Sequence, residues 1–145
     1  MQSLTLLCGL CYNHHMTKNT LAFSFNNETK EKIPPIPFEA IKDVALGKKY
    51  TLNLIITTPE HIKKLNLIYR NKNTATDILS FPLSETEGEI YICPEESRKE
   101  AVKFDREYDN FIAFLFIHGC VHLKGHDHSA KIGRASCRER VYVLV

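Results

Sequence analysis

Apolar positions along the chain fall into short alternating runs and longer helical runs, and punctuation by proline and glycine separates them. Thr20 to Phe25 alternates loosely and is rich in aromatic and aliphatic residues, which predicts a strand. Pro34, Pro35 and Pro37 form a stiff lead into a helix with Phe38, Ile41, Val44 and Ala45 on one face. Gly47 stops that helix. Tyr50 to Thr57 (YTLNLIIT) reads as a second strand. Pro59 opens a second helix, whose buried face is expected to hold Ile62, Leu65 and Tyr69. Asp77 to Leu83 (DILSFPL) and Glu89 to Cys93 (EIYIC) are two further strands, joined by the polar residues 84–88 with Gly88. Pro82 cannot donate to a ladder, so its strand belongs at a sheet edge or bends there. Pro94 starts a third helix towards Phe104, and a last one spans about Glu107 to Leu123 before Gly125 ends it. The order is strand, helix, strand, helix, two strands, two helices. It predicts an α+β fold, a mixed four-stranded sheet flanked by helices, rather than a regularly alternating parallel one.

A chain of 145 residues suits one compact core. Its 43% apolar and 25% charged content excludes a disordered or fibrous class. The longest apolar run, Phe111 to Ile117, falls far short of the roughly 20 residues that cross a bilayer, so it is read as buried helix and no membrane partner is expected. The net charge of +2 is uneven. Residues 131–145 hold Lys131, Arg134, Arg138 and Arg140 against Glu139. Taking those four and one from totals of 19 and 17 leaves 15 basic and 16 acidic residues in the first 130. Global charge therefore gives no support to RNA binding, and any footprint must be local.

Cysteines stand at 8, 11, 93, 120 and 137. An odd count without a regular framework argues for a reducing compartment, here the cytoplasm. The opening MQSLTLLCGLCYNHH lacks a basic n-region and a small-residue cleavage site, and Met16 looks like an ordinary start. Cys8 and Cys11 with His14 and His15 lie outside any strand–helix context and are read as accidental. The expected division is a disordered extension over 1–19, a single domain over 20–129, and a non-native tail over 130–145. Residues 131–141 (KIGRASCRERV) have no apolar helical face and read like the translation of an adapter oligonucleotide.

Chemistry concentrates in His118-Gly-Cys-Val-His122-Leu-Lys-Gly125-His126-Asp127-His128. Residues four apart lie on one helix face a turn apart, so His118 and His122 aim two imidazoles at one point. Gly125 breaks the helix, and a third imidazole, from His126 or His128, can approach from beyond it. Three neutral nitrogens and one open position describe a catalytic zinc site rather than a closed structural one. A single histidine beside an apolar helix is more often a packed residue than a ligand. Four histidines and an aspartate within eleven residues are harder to explain as packing, because burying unpartnered imidazoles costs several kcal/mol each. Imidazole suits zinc, although nickel or copper would also bind.

That run resembles the H-G-x-L-H-L-x-G-Y-D-H motif of the YbeY family of single-strand-specific metallo-endoribonucleases, which act in ribosomal RNA maturation and ribosome quality control. The match holds at His118, Gly119, His122, Leu123, Gly125, Asp127 and His128, with Val121 for leucine and His126 for tyrosine. Tyr69-Arg70 followed by Thr76-Asp77-Ile78-Leu79-Ser80-Phe81-Pro82 is similar to the family's arginine segment and its T-[DN]-V-L-S-F-P element, and Gly88-Glu89-Ile90 to its G-[DE]-I element. The resemblance covers about residues 20 to 129. It implies that one Zn2+ is held by His118, His122 and His128, with the site on the penultimate family helix and the following loop. It also implies that Arg70 is the basic residue of the active cleft. Single-stranded RNA, ribosomal RNA and the small ribosomal subunit are the implied partners.

Within this reading Arg70 would pair its planar fork with phosphate oxygens. Asp127 is a candidate to orient a ligand or accept a proton, with an Asx turn as its bland alternative. Lys63, Lys64, Lys72, Lys99 and Lys103 are candidates for RNA phosphates, though such lysines more often form a solvated face. The other classes open to the sequence are a zinc hydrolase of peptide or amide bonds and a non-catalytic ribosome-associated factor with a structural metal. Glycine at 119, where a zinc peptidase carries the glutamate of H-E-x-x-H, counts against the peptidase.

Overall fold

A computed structural model of the chain describes residues 21–125. Their elements run β1 (Phe23–Asn27), α1 (Phe38–Leu46), β2 (Thr51–Ile56), α2 (Pro59–Arg70), β3 (Ile78–Ser84), β4 (Glu87–Ile92), α3 (Pro94–Lys103) and α4 (Tyr108–Leu123). The strands form one sheet in the order β1-β2-β4-β3. β1 and β2, and β2 and β4, pair in parallel, while β3 runs antiparallel to β4. The expected α+β architecture is what the chain adopts. The hairpin is tighter than the polar run suggested, since only residues 85 and 86 separate β3 from β4. Pro82 lies in β3, an outer strand of the sheet, and the pairing register shifts between Pro82 and Ser84. An edge position tolerates the missing N–H. Among the described residues no helix is long and apolar enough to cross a membrane.

Alternation divides the sheet into two faces. Leu52, Leu54 and Ile56 of β2 and Ile90 and Ile92 of β4 point to the face covered by α1 and α4 and are fully buried. Leu79, Phe81 and Tyr91 point to the other, where Ile62 and Leu65 of α2 pack on them. α4 is the central helix. Phe111, Ile112, Leu115, Phe116, Gly119, Cys120 and Leu123 recur at three- and four-residue steps and are all buried. Each large side chain sequestered there contributes about 1.5–3 kcal/mol.

Two expectations about helix faces need correcting. On α1 the buried stripe is completed by Lys42, not Val44, which is 89% exposed. Positions 38, 41, 42 and 45 share the face, and the lysine stem fills it while its ammonium reaches Asp43 Oδ1 at 2.6 Å and the Tyr50 carbonyl at 3.3 Å. On α2 Tyr69 is not buried; it is 65% exposed, because Asn66 takes the inward position and donates from Nδ2 to the Thr74 carbonyl at 2.8 Å.

Two glycines bring α4 close to the sheet. A Cβ at Gly119 would meet Ile90 Cδ1 at 2.8 Å, Ser80 Oγ at 3.0 Å and Ile78 Cδ1 at 3.1 Å. A Cβ at Gly88 of β4 would meet Tyr50 Oη at 2.7 Å and Leu123 Cδ2 at 2.9 Å. Gly119→Ala and Gly88→Ala are therefore expected to destabilise the domain by about 1–3 kcal/mol each, the usual cost of overpacking. Equilibrium urea unfolding checks this, and wild-type midpoints in both variants would contradict the close contact.

Candidate metal centre

Helical geometry sets where the expected ligands stand. Phe116 packs against Phe38 of α1, with ring centroids 4.9 Å apart, and Gly119 lies on Ile78 and Ser80 of β3. At 100° per residue, His118 and His122 fall on the flank of α4 turned away from α1, over the β3 edge. Both are half-buried. Their rings are 4.5 Å apart at 70°, and the two Nε2 atoms face each other at 2.9 Å. The spacing read from the sequence thus brings both imidazoles to one point. Phe114, one turn earlier, stacks on His118 at 6.0 Å, and the Arg106 guanidinium lies over the Phe114 ring 4.7 Å from its centre. This column fixes the His118 ring.

Two Nε2 atoms sharing a tetrahedral ion at Zn–N distances near 2.0–2.1 Å sit roughly 3.3 Å apart. The observed 2.9 Å is short of that by a small rotation of either ring, so the pair fits such an ion as two of its ligands. Among the described residues no group of three His, Cys, Asp or Glu converges on one point. His126, Asp127 and His128, and with them the third expected ligand, lie outside the described residues. Gly125, at φ +94°, ends α4, as a helix stop before those residues requires.

Gly119 also bears on which chemistry the pair can serve. Its position against Ile90, Ser80 and Ile78 is crowded and faces the core, so a glutamate there, as in H-E-x-x-H, would have to displace buried side chains. Cys120 faces the core, and burial pushes its thiol up to about 12. It stays a neutral packing group and supplies no thiolate ligand.

Arg70 is the last residue of α2 and is exposed. Its helix packs on the sheet face opposite α4. A basic residue there also complements the helix C-terminus. Asp77, in the same motif, is half-buried and accepts from the Ile78 N–H at 3.0 Å and from Thr76 Oγ1 at 3.1 Å. Burial raises its pKa, and its contacts are those of a turn before β3.

A polar cluster went unread in the sequence. Thr57 Oγ1 donates to Glu28 Oε2 at 2.9 Å, and His61 Nδ1 lies 2.9 Å from both. It fastens the start of α2 to the carboxyl ends of β1 and β2. Glu28 is 29 and 33 residues from Thr57 and His61, so no local spacing brings it to them.

Comparison with known proteins bears on the whole chain. The family model described as Endoribonuclease YbeY matches residues 12–141. A Nautilia profundicola protein described as Endoribonuclease YbeY is 41% identical over 92 residues, covering 61% of this chain and 66% of the relative. One from Thermosipho melanesiensis is 36% identical over 85 residues, covering 57% and 62%. One from Thermotoga maritima is 37% identical over 101 residues, covering 68% and 63%. The chain thus spans somewhat less than two thirds of the length of these relatives. The solution structure of TM1509 from Thermotoga maritima matches with a TM-score of 0.57 at 26% identity, over 83% of this chain and 85% of that one.

The buried thiols yield a check on this packing. Burial raises the pKa of Cys93 as well as of Cys120, so neither forms thiolate near pH 8 in the folded protein. Peptide mapping after iodoacetamide at pH 8 should find both unmodified in native protein and alkylated after unfolding. Fast native labelling of Cys120 would contradict its place in the core.

Proposed function

The chain belongs to the YbeY endoribonuclease family, and from that premise we propose that it is a zinc-dependent endoribonuclease acting on single-stranded RNA in ribosomal RNA maturation and ribosome quality control. The observation that carries the proposal is the approach of His118 and His122 Nε2 to 2.9 Å on a helix otherwise given over to the core. His128 is assigned as the third ligand, following the family motif.

When bound, the ion supplies Lewis acidity towards water and a phosphoryl oxygen. The rest of the work falls to side chains. His118 and His122 offer Nε2 lone pairs from a fixed helix flank, which keeps the ligand geometry rigid. Arg70 is assigned, as the family motif implies, to phosphate oxygens of the bound RNA through its guanidinium. Asp127 is assigned to orienting a ligand or taking up a proton. The partners that follow are single-stranded ribosomal RNA and the small ribosomal subunit, in the cytoplasm. The reading as a peptide or amide hydrolase loses support from Gly119, where the usual general base would have to displace buried side chains.

The test pairs metal analysis with cleavage of single-stranded RNA. His118→Ala should lose zinc and cleavage together. Arg70→Glu should keep zinc and slow cleavage about 10²-fold or more, the scale of one lost charge-stabilising donor. Cleavage that survives complete removal of the metal would defeat the mechanism.

A further inference from the structure

We propose that α2 and the turn after it form a track for single-stranded RNA, on which Lys63, Lys64, Arg70 and Lys72 meet phosphates and the Tyr69 ring, at the sheet side of the helix end, stacks on a base. This deepens the endoribonuclease reading and rests on it for the identity of the polymer.

Charge is the first argument. Between Glu60 and Asp77 the chain carries four basic residues and no acidic one. Taking these four from the 15 basic residues of the first 130 leaves 11 against 16 acidic, so the rest of the domain is negative. α2 and its following turn therefore hold a local run of positive charge, which is what RNA binding requires. Pairing is the second argument. Lys99 is bonded to Glu95 and Glu96, Lys103 to Glu100, Lys42 to Asp43 and Arg98 to Glu31. Among the described residues, Lys63, Lys64, Arg70 and Lys72 form no ion pair, and all four are exposed. The structure thus separates the lysines that the sequence could not rank: those of α3 neutralise their own helix, and those of α2 are available to an outside polyanion. Lys63 and Arg70 are seven residues apart, two helical turns on one side and about 10.5 Å along the axis. Asn71, at φ +54°, then turns the chain and delivers Lys72 beyond the helix end.

Tyr69 supplies what an acidic protein would not need. Phe81 holds one side of its ring at 4.8 Å, and Phe81 rests in turn on Tyr91 at 5.8 Å. A ring fixed from behind and 65% exposed is a prepared stacking surface. Stacking of a base on an aromatic side chain is sequence-tolerant and contributes about 1–3 kcal/mol. Cations without carboxylate partners beside an open ring match a chain of phosphates and bases.

The chain contains no tryptophan, so Tyr69→Trp gives a single fluorescent reporter at the proposed contact. The full-length variant is titrated with a short 2′-O-methyl oligoribonucleotide that resists cleavage, with polarisation of a dye on the oligonucleotide as an independent measure of binding. The indole emission of this variant should change saturably along the polarisation curve. Tyr69→Ala should weaken binding about 5- to 150-fold, which is the stacking range expressed as a ratio. Lys63→Gln with Lys64→Gln should weaken binding and lower the slope of log Kd against log salt by about 1.4, the single-strand value for two phosphate contacts. The matched pair Lys99→Gln with Lys103→Gln should leave affinity and slope unchanged. Binding with a silent indole, equal losses from the two lysine pairs, or an emission change produced by raising protein concentration alone would each overturn the track; the last would mark contact between copies. Cleavage of unmodified RNA with a silent indole defeats the track and spares the endoribonuclease reading. A saturable indole signal without cleavage does the reverse.

Discussion

The close seating of α4 on the sheet is the constraint from which the site follows. Gly119 and Gly88 stand where a Cβ would meet side-chain ends of Ile90, Ser80, Ile78, Tyr50 or Leu123 within about 3 Å, so the helix is packed closely on the strands' side chains. That contact fixes the rotation of α4 about its axis. With Gly119 against β3 and Phe116 against Phe38, the flank carrying positions 118 and 122 has nowhere to face but the β3 edge. The same contact limits what the helix can carry. A general base beside the first histidine needs a side chain at 119, and one there would have to displace buried neighbours. The facing of the two imidazoles and the lack of a side chain at 119 both follow from this packing.

Much of this was legible in the sequence, because the signals were local. Proline at 59 and 94 marks two helix starts, and glycine at 47 and 125 two helix ends, each through a backbone preference that tertiary packing did not override. The i, i+4 histidines met because one helical turn brings them together. Pro82 announced an edge strand, and β3 is one. Illegible features depended on long-range packing or on side chains that play against type. Lys42 is 1% exposed because a stripe of Phe38, Ile41 and Ala45 needed a fourth stem, and an aliphatic stem with a charged end filled it. Tyr69 reads as a core residue by periodicity, yet Asn66 holds the inward place through a bond to the Thr74 carbonyl eight residues on. The Glu28, Thr57 and His61 cluster exists only once β1 and β2 are side by side.

The charges follow the same division between local and distant causes. Acidic residues at the start of α3 neutralise the lysines one turn on, an arrangement visible as i, i+3 and i, i+4 spacing and worth little to stability at an exposed site. On α2 Glu60 has the same spacing to Lys63 and Lys64 but, among the described residues, makes no ion pair with either, and the helix has no further acidic residue. Unbalanced charge on one helix costs some self-repulsion, which is a reason to look for a ligand that relieves it.

β3 ties the histidine helix and the basic helix together. Its residues alternate sides: Ile78 and Ser80 meet Gly119 of α4, while Leu79 and Phe81 lie under α2, with Phe81 supporting Tyr69. One strand therefore sets the height of the histidine helix on one face and the position of the aromatic and basic helix on the other. A slip of a single residue would exchange the two sets and dislodge both. The antiparallel register with β4, from Ile78 against Ile92 to Pro82 against Gly88, prevents that slip, and Pro82 keeps the outer edge from adding a further strand. On this reasoning the segment from Thr76 to Pro82 matters less for any group that touches substrate than for holding two surfaces, on opposite sides of the sheet, in one fixed relation.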